Sequence, residues 1–179
     1  GLTETSPYVS VLASEYALEK TGSAGQNLTF TSVRIVDENN RPVAAGQRGE
    51  VCIKGPNVMQ GYWNRPEATA EAIDELGWFH SGDIGYVDED GFLFICDRLK
   101  DMVITGGENV YPAEVESALY EHEDINEVAI FGLPDEKWGE VVVAAIAMHE
   151  GKTMELAVLR DFASQSLAKY KIPTVLHIV

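Results

Sequence analysis

The sequence predicts an α+β protein made of two parts, a mainly β first part and a small α+β second part. Three observations lead to this prediction. Apolar and polar residues alternate in short runs up to about residue 96, which is typical of half-buried strands. Beyond that point, two runs carry apolar residues at helical spacing. Between those two runs lies the nearly continuous apolar run GEVVVAAIAM, which is typical of a buried strand.

The first part is predicted to consist mainly of strands and turns. Residues 1–30 are rich in Gly, Ser and Thr and only weakly periodic, so loops are expected there. Residues 32–55 are predicted to form two strands joined by polar turns. A short helix is expected over residues 66–73, with Pro66 at its start. The run GWFHSGDIGYVDEDGFLFICDRL at residues 77–99 predicts a β-hairpin that turns at DEDG.

The second part is predicted to contain a hairpin, two helices and three strands. The adjacent glycines of TGGEN are expected to form the hairpin turn. A helix is predicted in VYPAEVESALYEH, with Pro112 near its first position and acids in its first turn. A second helix is predicted in TMELAVLRDFASQSLAKY, with Thr153 as its N-cap. Strands are expected at INEVAIFGLP, at the apolar run and at KIPTVLHIV.

The charge and composition argue against several classes of function. The chain has 29 acidic and 13 basic residues, which gives a net charge of −16. Such a chain repels phosphate backbones and anionic lipid, so nucleic-acid and membrane-surface binding are not expected. No integral membrane span or signal peptide is recognised. Cys52 and Cys96 lie in strand-like runs and are expected to be small buried hydrophobes in a reducing compartment, which predicts a cytoplasmic location.

Four short segments carry residues suited to binding, and each also has a plain structural interpretation. GLTETSP offers hydroxyls beside Glu4, or only a capped turn. In WFHSGDIG, Asp83 suits the vicinal hydroxyls of a ribose, or is a turn residue, whereas His80 is expected to be packed and hydrogen-bonded and receives no role. In DRLKD, Arg98 and Lys100 are expected on one side of an extended segment, which is also typical of a solvated edge strand. The glycines of TGGEN permit close approach of a ligand, or only a turn.

Taken in order, four longer segments resemble the motifs of the adenylate-forming superfamily, and of its acyl-CoA synthetases in particular. They are GLTETSP, GEVCIKGPNVMQGYWNRPEAT, GWFHSGDIGYVDEDGFLFICDR and KDMVITGGENVYPAEVE, and together they cover almost the whole chain. The resemblance implies that a carboxylic acid reacts with ATP and Mg²⁺ to give an acyl-adenylate and pyrophosphate. The thiol of coenzyme A then attacks the adenylate and releases AMP.

The resemblance also implies a domain organisation. Residues 1–97 are similar to the β-rich distal subdomain of the family's large domain, and residues 98–179 to its small, mobile α+β C-terminal domain. Lys100 occupies the family's hinge position, about which the small domain rotates between the two half-reactions. Gly106 and Gly107 resemble the loop that approaches the pantetheine arm of coenzyme A.

Four residues are implied on the nucleotide side of the site. Thr3 resembles the hydroxyl that contacts the adenylate phosphate, and Glu4 resembles the magnesium ligand. Asp83 and Arg98 resemble the residues that hold the ribose hydroxyls. These assignments come from the family's pattern, whereas the residues alone leave each segment open to its structural interpretation.

Two functional elements of the family are not found in the sequence. The Gly/Ser/Thr-rich loop that grips the ATP phosphates is expected before residue 1, and the adenylation lysine is expected after residue 179. Lys169 and Lys171 match the segment that precedes that lysine. Together with the abrupt start at Gly1, this predicts a fragment truncated at both ends that is inactive alone.

Some features depart from the family's pattern and leave alternatives open. Asp97 stands where many members have Gly, and Ile104 and Gly106 stand where luciferases and phenylpropanoid ligases carry lysines. TGGENVYP is more similar to fatty-acyl or other broad acyl-CoA ligases. The alternatives are an adenylation module that loads a carrier protein, and a non-catalytic relative that binds nucleotide. A small carboxylic acid is the expected partner, and assembly into a homo-oligomer is left open.

Overall fold

The computed structural model describes all of residues 1–179. The chain divides into two compact units, one formed by residues 1–99 and the other by residues 100–179. The division lies between Leu99 and Lys100, two residues beyond the boundary expected from the sequence. The identification of these units with the family's two domains stays a prediction.

The first unit is built on a six-stranded antiparallel sheet with the strand order β1-β2-β6-β5-β4-β3. Its core is formed by apolar side chains from the strands and the segments next to them: Val9, Ile35, Val51, Ile53, Phe79 and Leu93. The sheet strands are β1 Ser10–Val11, β2 Ser23–Asn27, β3 Ser32–Val36, β4 Gly49–Lys54, β5 Phe79–Val87 and β6 Leu93–Arg98, and the helix is α1 Pro66–Ala72.

The sequence predictions for this unit are mostly confirmed. β3 and β4 pair, β5 and β6 form the predicted hairpin, and Pro66 begins α1. The prediction of loops throughout residues 1–30 is wrong, because two short strands lie there. β2 has the polar sequence SAGQN and is held by pairing with β6, so its sequence carries no apolar alternation.

The second unit is a five-stranded mixed sheet with two helices. β10 pairs antiparallel with β9 along its length and with β7, and parallel with β11. Its elements are β7 Val103–Thr105, β8 Glu108–Val110, α2 Pro112–Tyr120, β9 Ile125–Asp135, β10 Gly139–Met148, α3 Leu156–Ala163 and β11 Val175–Ile178. Both helices contribute to the core through Val115, Leu119, Leu159 and Ala163. None of the helices in this chain is long and apolar enough to cross a membrane.

The predicted second helix of this unit is shorter than expected. α3 begins at Leu156, with Glu155 and not Thr153 in the N-cap position. It ends at Ala163, and the following Ser164 caps it: its N–H donates to the carbonyl of Arg160 and its hydroxyl donates to the carbonyl of Asp161. A short 3₁₀ helix at Lys169–Lys171 follows.

The segment between the two units differs from the expectation of an extended strand. β6 ends at Arg98, and a 3₁₀ turn at Leu99–Asp101 follows. Arg98 and Lys100 therefore do not share one side of a strand. The prediction of a hairpin at the adjacent glycines is confirmed, because Gly106 and Gly107 join β7 to β8 with φ values of +60° and +85°. Positive φ at both central residues is the conformation of a type I′ turn.

Candidate functional site

Thr3 and Glu4 lie on a 3₁₀ turn, Thr3–Thr5, that a buried threonine holds in place. The Thr5 hydroxyl accepts the N–H of Leu2 at 3.1 Å and lies within donating distance of the carbonyls of Leu2 and Pro7. Thr5 is fully buried, whereas Thr3 is exposed. The turn is therefore capped from inside and leaves the Thr3 hydroxyl open to a ligand.

Tyr62 and Met59 hold Glu4 from a neighbouring loop. The N–H of Met59 donates to the Glu4 carbonyl at 2.8 Å, and the Tyr62 hydroxyl donates to Oε1 of Glu4 at 3.0 Å. Burial, together with this bond to the carboxylate, raises the pKa of Tyr62. The other carboxylate oxygen, Oε2, is a hard ligand of the kind that Mg²⁺ prefers, and the ion usually takes only one or two protein carboxylates. The donor set therefore fits a magnesium ion, and Tyr62 is a contributor that the sequence did not reveal.

Asp83 and Arg98 are brought together at the end of the β5–β6 hairpin. They are direct register partners, and the Nε of Arg98 lies 3.5 Å from Oδ1 of Asp83. The Asp83 side chain is 19% exposed, whereas that of Arg98 is 63% exposed. Burial raises the pKa of Asp83, the positive charge of Arg98 partly offsets this effect, and the negative charge of Glu50 adds to it. The pair therefore offers a half-buried acceptor beside an exposed cation.

A bulge in β5 presents Asp83. Between two regular pairs of the β4–β5 ladder, Val51 alone faces the three residues 81–83. Gly82 supports the bulge with a φ of +70°, a conformation that favours glycine. The Ser81 hydroxyl donates to the Val51 carbonyl at 2.7 Å and accepts the N–H of Asp83 at 3.0 Å. The bulge therefore has a defined shape that aims the Asp83 side chain.

A row of polar side chains continues from the bulge. Oε1 of Glu50 accepts the N–H of Gly82 at 3.1 Å, and Oε2 of Glu50 lies 2.7 Å from Nδ1 of His80. Nε2 of His80 lies 3.8 Å from Oδ2 of Asp74, which in turn accepts a hydrogen bond from Arg34 at 3.0 Å. The expectation that His80 is hydrogen-bonded is confirmed. The row itself was not predicted, because its members lie far apart in the sequence.

Cys52 extends this row. The ligand-type atoms of Glu50, Cys52 and His80 lie within 4.8 Å of one another. Burial raises the pKa of the Cys52 thiol to about 12, so the sulfur stays protonated at neutral pH. Since a carboxylate only accepts, Nδ1 of His80 carries the proton of its bond to Glu50. The three groups therefore form an internal hydrogen-bonded network.

The glycine hairpin of the second unit is braced against Trp138. The N–H of Gly106 donates to the Trp138 carbonyl at 2.8 Å. A Cβ atom at Gly106 would lie 3.0 Å from Cε3 of the Trp138 ring, whereas one at Gly107 would meet nothing within 4 Å. Both glycines are exposed, as is Lys100 in the turn that begins this unit. The hairpin tip therefore offers bare backbone to a ligand.

Gly106 also lines a groove of about 720 Å³ in the second unit. Apolar side chains and the aromatic rings of Trp138 and Tyr170 form much of its wall. The cations Arg160 and Lys169 and the acids Glu108 and Asp135 also line it. Flat rings and cations are the groups that bind nucleotide-like and acidic ligands. No pattern in the sequence indicated this groove, because its wall combines residues from β7 to β11.

Two family models match the chain. The model described as AMP-binding enzyme matches residues 1–63, and the model described as AMP-binding enzyme C-terminal domain matches residues 114–179. The chain is 49% identical over 179 residues to a 2-succinylbenzoate–CoA ligase from Geobacillus kaustophilus (strain HTA426), covering 100% of this chain and 36% of that protein. It is 46% identical over 172 residues to the long-chain-fatty-acid–CoA ligase FadD13 from Mycobacterium tuberculosis (strain ATCC 25618 / H37Rv), covering 96% of this chain and 34% of that protein.

The fold is similar to that of a solved o-succinylbenzoate CoA synthetase from Bacillus subtilis in complex with its acyl-adenylate intermediate. That structure matches with a TM-score of 0.89 and 40% identity, covering 100% of this chain and 36% of the solved chain. The same enzyme has also been solved with ATP and a magnesium ion, and matches with a TM-score of 0.87. The chain thus spans about a third of the length of these relatives.

Proposed function

The chain belongs to the AMP-binding, or adenylate-forming, enzyme family, and on that premise we propose that it forms part of an ATP-dependent acyl-CoA ligase. The whole enzyme joins a carboxylic acid to ATP, which gives an acyl-adenylate and releases pyrophosphate. The sulfur of coenzyme A then attacks the acyl carbon, the thiol loses its proton, and AMP leaves. Acyl-CoA, AMP and pyrophosphate are the products.

The pairing of Asp83 with Arg98 is the observation that carries this proposal. A half-buried carboxylate on a defined bulge is suited to accept hydrogen bonds from two vicinal hydroxyls, as on the ribose of ATP. The exposed Arg98 guanidinium adds a cation beside the nucleotide. We assign both residues to ribose binding.

The turn at Thr3–Thr5 supplies the phosphate side of the proposed site. Thr3 would donate a hydrogen bond to the adenylate phosphate, and Glu4, whose carboxylate Tyr62 orients, would hold Mg²⁺. When bound, the ion neutralises charge on the ATP phosphates. Tyr62 keeps the carboxylate in one orientation, so that little ordering is needed when the ion arrives.

The second unit is assigned to the thioester half-reaction. Lys100 is the hinge, and it lies in an exposed 3₁₀ turn between the two units, where a few residues can absorb a change in backbone angles. The tip formed by Gly106 and Gly107 approaches the pantetheine arm of coenzyme A, where the absence of side chains leaves room. The groove beside Gly106 has aromatic rings and cations suited to a nucleotide-bearing substrate, together with the acids Glu108 and Asp135.

The acid is proposed only as a class. The names of the relatives include an aromatic acid and long-chain fatty acids. We therefore propose a small-molecule carboxylic acid, aromatic or aliphatic, without fixing its chain length. We propose a cytoplasmic location, because neither Cys52 nor Cys96 is joined in a disulfide.

A half-reaction assay on the complete enzyme tests the proposal. A panel of aromatic and aliphatic acids is incubated with ATP and Mg²⁺, and pyrophosphate release is measured with and without coenzyme A. We expect an acid-dependent release and, only with coenzyme A, a thioester. Asp83→Ala lowers kcat/KM for ATP about tenfold or more, since a hydrogen bond to a charged group is lost, while Glu38→Ala in an exposed turn does not.

The assay also separates the alternatives. Acyl transfer to a carrier protein, with none to coenzyme A, would identify a carrier-loading adenylation module. ATP binding without acid-dependent pyrophosphate release for any acid would identify a non-catalytic nucleotide-binding relative. Either result would contradict the acyl-CoA ligase proposal.

A further inference from the structure

The bulge that presents Asp83 has two backbone N–H groups that side chains take up. Glu50 accepts the N–H of Gly82, and Ser81 accepts the N–H of Asp83. Glu50 comes from β4, so it joins the bulge to the neighbouring strand in addition to the ladder. The position of the Asp83 carboxylate therefore depends on Glu50, a side chain from the neighbouring strand.

Glu50 is in turn held in place by the row of polar side chains next to it. Nδ1 of His80 donates to Oε2 of Glu50 at 2.7 Å, and Nε2 of His80 lies 3.8 Å from Oδ2 of Asp74. Asp74 also accepts the N–H groups of Leu76 and Trp78 through Oδ1, at 2.9 and 2.8 Å, which pins the turn that leads into β5. Both oxygens of Glu50 are thus engaged, and its side chain is 17% exposed. Because the Glu50 carboxylate is held in this way, it restricts the position of Gly82, whose N–H it accepts.

We propose that Glu50 is a positioning residue for the nucleotide ribose: it sets the Gly82 bulge so that Asp83 meets both hydroxyls at once. The inference rests on the proposed function, because it takes Asp83 as the ribose contact. Glu50 does not touch the substrate. It acts on the orientation of the Asp83 side chain, since a bulge changes the direction of the side chains that it carries.

A positioning role differs from a general structural one in a measurable way. Loss of overall stability weakens the binding of every nucleotide alike. Loss of the aim of Asp83 weakens only the part of the affinity that comes from the ribose hydroxyls. The ratio of kcat/KM for ATP to that for 2′-deoxyATP or 3′-deoxyATP isolates this part, because these analogues lack one of the two hydroxyls.

The test measures this ratio in the complete enzyme for wild type, Asp83→Ala, Glu50→Ala, Glu50→Gln and Ser81→Ala. Glu50→Ala should lower the ratio about tenfold, nearly as much as Asp83→Ala, which is the effect expected for losing one hydrogen bond to a charged group. Glu50→Gln should keep the ratio within about twofold, because the amide oxygen still accepts the Gly82 N–H. The amide N–H₂ can donate to Nδ1 of His80 when the ring carries its proton on Nε2, the nitrogen that faces Asp74. Glu38→Ala, an exposed glutamate of the same unit, is the matched control.

Each outcome decides the question. A Glu50→Ala variant that raises KM for ATP and for both deoxy analogues by the same factor overturns the inference, and Glu50 is then only structural. If Glu50→Ala does not fold, Ser81→Ala is used instead, because the Ser81 hydroxyl holds the same bulge through Asp83 and Val51. It should lower the ratio of kcat/KM for ATP to that for the deoxy analogues, and an unchanged ratio overturns the inference. Unchanged discrimination in Asp83→Ala removes the ribose contact on which the inference depends. Absence of acid-dependent ATP turnover in wild type is a separate failure, of the ligase proposal itself.

Discussion

Asp83 and Arg98 face each other across the ends of β5 and β6, with the Nε of Arg98 3.5 Å from Oδ1 of Asp83. The two partners differ in environment, since the carboxylate is mostly covered and the guanidinium mostly in water. Desolvation therefore acts on Asp83 more strongly than the attraction of Arg98, and the net effect is a raised pKa. The ionised carboxylate that ligand binding needs is thus disfavoured by the folded protein without ligand.

Asp83→Asn should therefore not destabilise the protein at neutral pH. A carboxyl whose pKa is higher in the folded than in the unfolded state contributes stability below its unfolded pKa, about 3.9, and loses that contribution as the pH rises through its folded pKa. Asp83→Asn removes the ionised carboxylate, and with it the free-energy cost of keeping that charge partly buried at pH 7. We expect a Tm at or above that of wild type at pH 7, with the difference shrinking toward pH 4, as measured by scanning calorimetry.

The same variant should lose ribose discrimination, which would identify Asp83 as a residue kept for binding at some cost in stability. Glu38→Gln, in an exposed turn, is the control and should change neither property. A clear fall in Tm at pH 7 for Asp83→Asn, together with unchanged discrimination, would contradict this explanation.

Tyr62→Phe should weaken magnesium dependence without affecting the fold. The variant keeps the ring and removes only the O–H that donates to Glu4. With the carboxylate free to rotate, we expect the Mg²⁺ concentration for half-maximal pyrophosphate release to rise about three- to tenfold, as for one lost hydrogen bond to a charged group. A magnesium titration at saturating ATP measures this.

Tyr86→Phe is the matched control for that titration. Tyr86 belongs to the same unit, and its ring stacks on Phe94 with a centroid separation of 4.9 Å. The substitution keeps that stacking and should leave the magnesium dependence unchanged. Equal shifts in the two variants would show that the bond between Tyr62 and Glu4 has no role in holding the ion.

Elements with a local cause were predictable from the sequence. Pro66 and Pro112 each begin a helix, because proline's fixed φ suits the first turn and its missing N–H is not needed there. The adjacent glycines form the hairpin turn, because two residues with positive φ are required. In each case the chemistry of one or two residues determines the backbone.

Features with a distant cause were not predictable. β2 exists because Ser23 and Gly25 pair with Phe94 and Leu93, some seventy residues along the chain, while its own sequence is polar. The contacts of Glu50 with His80 and Gly82 likewise join residues about thirty apart. Only the register of β4 against β5 brings them together. Local residue patterns in one sequence do not determine how β4 is aligned against β5.

Gly106→Ala should impair thioester formation selectively. The change adds the cost of a positive φ and a contact of 3.0 Å with the Trp138 ring, at the hairpin tip that we assign to the pantetheine arm. We expect the rate of acyl transfer to coenzyme A to fall at least about tenfold, since small misplacements of positioning groups have large effects on rate. Pyrophosphate release in single turnover should stay within about twofold.

Gly151→Ala controls for the backbone cost alone. Gly151 has a φ of +74° and lies in an exposed turn of the same unit, where an added Cβ atom would meet nothing within 4 Å. The substitution should lower the free energy of unfolding by about 1 kcal/mol and leave the balance between the half-reactions unchanged. If Gly106→Ala slows both half-reactions equally, the hairpin has no special role in the thioester step.

Lys100→Pro tests the hinge through the backbone. Proline fixes φ near −65°, so a turn that must adopt two sets of angles would be held in one of them. Lys100→Ala removes the same side chain but leaves the backbone free. We expect the proline variant to change the ratio of the two half-reaction rates at least about tenfold, and the alanine variant to change it less than about twofold. Rapid-quench measurement of adenylate formation and of acyl transfer gives both rates. If the two variants change the ratio by the same factor, the backbone of Leu99–Asp101 does not act as a hinge.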